Sequence, residues 1–93
     1  MISFFGVSVE FYPNIINRND FETVMYPYMT FEEATEVVEQ TLSPYIGDRD
    51  YEVYHKEDYS QAMVMVYNYE DPTAAQLLTF DVIPIEIDHF NME

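Results

Sequence analysis

Between Thr30 and Gly47 the apolar residues recur at spacings of three and four, and on both sides of that stretch they alternate. Phe31, Ala34, Val38, Leu42 and Tyr45 make one stripe, with Val37 beside it. Thr30 and Glu33 form a Thr-x-x-Glu capping box at its start. Pro44 and Gly47 close it. The spacing predicts a main helix over about 31–45. Before it, Phe5, Val7, Val9 and Phe11 face one way and Gly6, Ser8 and Glu10 the other, the period of a half-buried strand. A chain that switches between these two periods is confined to an α+β arrangement, in which an antiparallel sheet of three to five strands carries the helix on one face.

The remaining segments fill in that plan. Pro13-Asn14 and Asn17-Arg18-Asn19-Asp20 read as a loop. Residues 21–29 fit either a short strand or an irregular aromatic segment. Gly47-Asp48-Arg49-Asp50 is a turn, Tyr51 to His55 alternates, and Lys56 to Ser60 reads as a polar hairpin loop. Gln61 to Tyr69 is apolar on both faces, which predicts the central strand. Asp71 to Ala75 is a turn, with Asp71 as cap and Pro72 as the first residue of a helical turn. In the last strand the apolar positions shift from Leu78, Phe80 and Val82 to Ile83, Ile85 and Ile87. That phase change, with Pro84, predicts a bulge at Val82-Ile83.

The whole chain of 93 residues fits one domain. Its 18 acidic residues against 3 basic ones give a net charge of −15. A folded monomer of this mass exposes roughly 5,600 Å². The charge is about twice the upper end of what small domains carry, a magnitude of about 8. Such self-repulsion costs stability. Because 48% of residues are apolar, disorder is not expected despite the charge. Three basic residues are too few for direct binding of nucleic acid or an anionic membrane. The absence of Cys excludes disulfides, thiolate metal sites and a thiol nucleophile. No run approaches the ~20 apolar residues of a membrane span, and Met1 to Val9 lacks the basic start of a signal peptide. The expectation is a soluble, intracellular protein.

The carboxylates are distributed unusually. Glu32, Glu36 and Glu39 share the exposed side of the expected helix, with Glu33 alongside. Asp48 and Asp50 follow in the turn. Glu86 and Asp88 lie on one side of the last strand, roughly 6.6 Å apart. An ordinary solvated helix places Lys or Arg four residues after its Glu, yet no basic residue lies between Asp20 and Asp48. One reading is a rigid array of negative charge that imitates the phosphates of duplex DNA. The other is an acidic surface kept for solubility. The seven residues Glu32, Glu36, Glu39, Asp48, Asp50, Glu86 and Asp88 are the candidate partner-binding set.

Small, very acidic, Cys-free chains with aromatic-rich cores resemble the DNA-mimic inhibitors encoded by bacteriophages, including anti-restriction and anti-CRISPR proteins. The acidic, aromatic end Ile85-Glu86-Ile87-Asp88-His89-Phe90 is also similar to the tail of a phage T4 anti-restriction protein. These inhibitors share a physical type rather than a motif, so the resemblance carries over no residue. It implies a non-enzymatic inhibitor in the cytoplasm of a bacterial host. Such a protein would occupy the basic nucleic-acid site of a restriction enzyme, a CRISPR effector or a similar protein. The alternatives are an acidic immunity protein that neutralises a nuclease toxin and a structural or regulatory acidic subunit.

Metal and catalytic readings are weaker. Asp48-Arg49-Asp50-Tyr51-Glu52 alternates carboxylates as a calcium loop does, but Val53 and Tyr59 stand where an EF-hand needs Gly and Glu. His55 and His89, the only histidines, lie on different expected strands with no local ligand pattern. Phosphate loops, nucleophile elbows and metalloprotease helices are absent from the sequence. No catalytic residue, metal or cofactor is therefore expected. The nine tyrosines are too many to bury in so small a core. Tyr26, Tyr28, Tyr51 and Tyr54 are expected to be the most exposed, either as a protein-binding or self-association surface or as partly buried edge residues. A homodimer would lengthen the charged array.

Overall fold

A computed structural model describes residues 2–19, 21–28, 30–71 and 74–87. Six elements follow one another: β1 (Ile2–Tyr12), β2 (Glu22–Tyr28), α1 (Phe31–Leu42), β3 (Tyr51–His55), β4 (Gln61–Val66) and β5 (Gln76–Ile87). The strands form one five-stranded sheet in the order β2-β1-β5-β4-β3, and every neighbouring pair is antiparallel. With α1 on one face, the domain is the α+β fold that its two periodicities require.

The helix forms where its local signals lie. The Thr30 side chain accepts the Glu33 N–H at 3.1 Å, as an N-cap does. The helix ends at Leu42, and Ser43 caps its C-terminus. This is one turn earlier than the expected end at Tyr45. Tyr45 sits in the following turn, yet its ring still packs edge-on against Tyr51 with centroids 4.7 Å apart. Gly47 takes a left-handed conformation at φ +87°, which glycine adopts without steric cost. Ala34, Val38 and Leu42 are fully buried and meet Val7, Ala62, Val64 and Phe80 of the sheet. At the other end of the helix, Phe31 meets Phe5 edge-on at 5.6 Å. The helix thus lies over β2, β1 and β5, running from Phe5 of β1 toward the turn whose Tyr45 meets the start of β3.

The expected alternation in β1 holds, with Phe5, Val7 and Val9 on the helix side. Residues 22–28 are a strand, and it lies at the sheet edge. Two expectations need correction. The central strand is β5, not the 61–69 segment, and β4 ends at Val66, second from the opposite edge. The outward Met63 and the half-buried Met65 make β4 apolar on both faces without making it central. Nor is there a bulge at Val82-Ile83. Residues 77–87 pair one-to-one with β1 from Tyr12 back to Ile2. The phase shift instead follows the covered face. Leu78, Phe80 and Val82 face the helix side, whereas Ile83 and Ile85 lie on the opposite face. Pro84 is tolerated because β4 reaches only to Asp81. The Val82 N–H donates toward Ser60 at 2.8 Å. Two residues on, the Pro84 nitrogen points the same way, past the end of β4, where no ladder bond is lost.

On the helix-free face a Cβ at Gly6 would lie 2.5 Å from Met25 Sδ and 2.7 Å from Ile85 Cδ1. These two side chains therefore close over the β1 backbone. Among the described residues no helix is long and apolar enough to cross a membrane. The expected helical turn at 71–75 retains one bond, from the Ala74 N–H to the Asp71 carbonyl at 2.9 Å; Pro72 lies outside the described residues.

Candidate functional site

The fold sorts the carboxylates into two kinds. On the helix-free face, the three carboxylates of the described strand side chains each accept a hydrogen bond from a neighbour. Tyr12 donates to Glu10. Gln61 Nε2 donates to Asp81 at 3.1 Å. Tyr54 and Tyr67 both donate to Glu52. The Tyr54 and Tyr67 hydroxyls hold the Glu52 carboxyl below its ordinary value. Reciprocally, the Glu52 carboxylate pushes Tyr67 up to about 12 and raises Tyr54. Glu10 raises Tyr12 in the same way. These carboxylates serve the sheet.

Turn carboxylates are also engaged. Asp48 Oδ1 accepts the Asp50 N–H at 2.9 Å, and Asp58 Oδ1 accepts the Ser60 N–H at 3.0 Å. Hydrogen bonds from Ser60 lower the Asp58 carboxyl. Tyr69 is raised first by desolvation and then by the Asp50 charge.

The helix carboxylates lie on the surface. Glu32, Glu33, Glu36 and Glu39 are all exposed. Gln40 Nε2 donates to Glu36 Oε1 at 3.3 Å. The last turn of α1 contains no basic residue. A helix C-terminus favours cations, so Glu39 stands where the helix dipole opposes it. Packing of Ala34, Val38 and Leu42 holds the helix against that cost. Along the axis, Glu32 to Glu39 spans about 10.5 Å. Glu32, Glu36 and Glu39, on one side of the helix, therefore stand about 6 and 4.5 Å apart along the axis, a line of negative charge on the scale of the ~3.4 Å rise per phosphate along one DNA strand.

The seven residues expected from sequence do not form one patch. Glu32, Glu36 and Glu39 share the outer side of α1. Asp48 and Asp50 lie in the turn beyond its C-terminus, exposed but tied into that turn. Glu86 is at the far end of β5, paired with Ser3. Tyr51 of β3 is level with Val66 and hence with Gln76. Ten residues of β5, about 33 Å, separate that level from Glu86. Asp88 lies outside the described residues, as does His89. His55 stacks on Tyr59 with centroids 4.4 Å apart, and its Nδ1 lies 2.9 Å from the Lys56 carbonyl. Among the described residues no group of three or more His, Asp and Glu is placed to hold a metal.

The tyrosine expectation is half correct. Tyr26 and Tyr54 are 49% and 53% exposed. Tyr28 and Tyr51 instead pack against the core: α1 packs over β2, and Tyr45, in the turn after α1, meets the Tyr51 ring. Tyr69, at 70%, is the most exposed.

The structure adds one feature. α1 leaves a cleft between its flank and the sheet, with a volume of about 380 Å³. Val37 and Thr41 form the helix wall, Tyr26 and Val9 the opposite wall, and Leu78 and Phe80 line it as well. No carboxylate lines it. The sequence signal was slight: Val37 stands beside the buried stripe, and Thr41 one position before Leu42.

No family model, curated protein or solved structure matches the chain.

Proposed function

We propose that this protein is a non-enzymatic inhibitor that imitates nucleic acid and occupies the basic binding channel of a DNA-processing or host-defence protein. The observation that carries this reading is the row of exposed carboxylates on α1, without a basic residue along the helix. Glu32, Glu36 and Glu39 are the principal contacts, because they share the exposed outer side of α1. Asp48 and Asp50, exposed in the turn beyond the helix end, are further contacts. Complementary charge would speed association and make it sensitive to salt.

Placing Glu39 in the last turn of a helix is unfavourable for stability. A surface kept acidic only for solubility has no need of that arrangement, since lysines there would serve the dipole as well. This favours the mimic over a merely solvating surface.

Affinity capture tests the reading. The immobilised protein is exposed to a bacterial lysate at low salt and then washed with duplex DNA. Release of one or a few DNA-binding proteins by DNA is the expected result. A partner that stays bound in excess DNA would favour an immunity or regulatory role instead.

A further inference from the structure

The cleft beside α1 is an apolar opening in a chain of 18 acidic residues. Its volume of about 380 Å³ falls within the ~300–1,000 Å³ of ligand sites. Its own side chains leave it unfilled: Tyr26 is 49% exposed, and Val24, on the same face, 48%. The one hydroxyl on its helix wall, that of Thr41, already donates to the Val37 carbonyl at 2.7 Å. Tyr26, Tyr28 and Tyr45 also line it, so its walls are aliphatic and aromatic surface with phenol hydroxyls among them, a lining that suits an aromatic ring. Its surroundings carry the opposite message. Glu33 lies one turn before Val37 on the same flank of the helix and sits beside Tyr28, which also lines the cleft. Glu22, opposite Phe11, stands on the same sheet face as Val24 and Tyr26. An anionic amphiphile would meet like charge at this rim. An apolar group flanked by cations would meet complementary charge.

Resting on the inhibitor reading above, we propose that the cleft seats one aromatic side chain projecting from the basic surface of the target, with α1 carboxylates pairing with the Lys and Arg around it. Charge alone discriminates poorly among basic proteins, whereas a buried aromatic anchor in a desolvated pocket supplies most of the selectivity at many interfaces. The row of carboxylates would then bring the partner in, and the cleft would decide which partner stays.

The chain contains no Trp, so indole emission reports a Trp-containing probe alone. Three peptides suffice: acetyl-Arg-Lys-Trp-Lys-Arg-amide, its analogue with Ala for Trp, and the neutral acetyl-Gly-Ser-Trp-Ser-Gly-amide. The cationic Trp peptide should bind about tenfold more tightly than its Ala analogue at equal salt, with a blue-shifted emission. Thr41→Phe fills the cleft from an exposed helix position, and Tyr26→Ala removes its opposite wall. Each should abolish the blue shift and the tenfold advantage while leaving the Ala peptide's affinity unchanged. Equal affinities for the Trp and Ala peptides, an unshifted emission, or unaffected variants would overturn the proposal. So would a neutral Trp peptide binding as tightly as the cationic one, which would make the cleft a site for uncharged ligands. The inhibitor reading is read separately: reversing Glu32, Glu36 and Glu39 to Lys should remove the salt-sensitive binding of the Ala peptide, whatever Trp adds.

Discussion

Glu52 accepts a hydrogen bond from Tyr67, fifteen residues further along the chain, and so ties β3 to the end of β4. Tyr54, two residues away on the same strand, donates to the same carboxylate. The two phenols lower the Glu52 carboxyl in the folded state, Tyr54 contributing most. A depressed carboxyl stabilises the fold above its unfolded value, and that contribution disappears as pH falls through the folded value. Tyr67, raised to about 12, behaves oppositely: its contribution is complete below the ordinary phenol value and is lost as pH rises through the raised one. Carbon NMR of the Glu52 carboxyl should show its midpoint moving up to the ordinary carboxylate range in the Tyr54→Phe, Tyr67→Phe double variant. An unchanged midpoint would mean that the phenols do not hold this carboxylate in solution.

Glu39 sets stability against the proposed function. It lies in the last turn of α1, where the dipole favours a cation. Glu39→Lys should therefore raise folding stability by about 0.5 kcal/mol in denaturant titrations and weaken partner binding. A variant that lost stability would show that Glu39 supports the helix.

Core and surface should separate cleanly. Leu42 is fully buried between α1 and the sheet, and Leu42→Ala should cost about 3 kcal/mol. Glu32→Lys, on the exposed side of the same helix but in its first turn, where the dipole favours an anion, should cost only about 0.5 kcal/mol. Equilibrium unfolding in urea measures both.

Salt should stabilise this protein. At a net charge of −15 the folded chain repels itself, and at ~1 M ionic strength the screening length shrinks to about 3 Å. The thermal midpoint should climb steadily from low salt to molar sodium chloride. A flat response would mean that the carboxylates are too dispersed for repulsion to matter.

The helix and β1 were legible because their signals are local: a cap, a stripe and an alternation. The sheet order was not. β4 looks central because Met63 and Met65 are apolar on the face away from the helix. β5 looks bulged because the face it buries changes along its length. Residues 22–28 gave no clear period because an edge strand exposes Thr23 and Met25 as well as Val24 and Tyr26. In the candidate site, the helix carboxylates could be read from spacing alone. So could the two Glu-x-Tyr pairs, Glu10 with Tyr12 and Glu52 with Tyr54, since residues two apart share a strand face. The cleft could not, because it exists only through the way α1 lies on the sheet.

The most direct measurement of the central claim compares the wild-type protein with a variant carrying Glu32→Lys, Glu36→Lys and Glu39→Lys. Both are immobilised, loaded with bacterial lysate and eluted with duplex DNA, after circular dichroism has confirmed that both are folded. The mimic account predicts DNA-binding proteins in the wild-type eluate and their loss from the variant's. The same proteins released from both surfaces would contradict it.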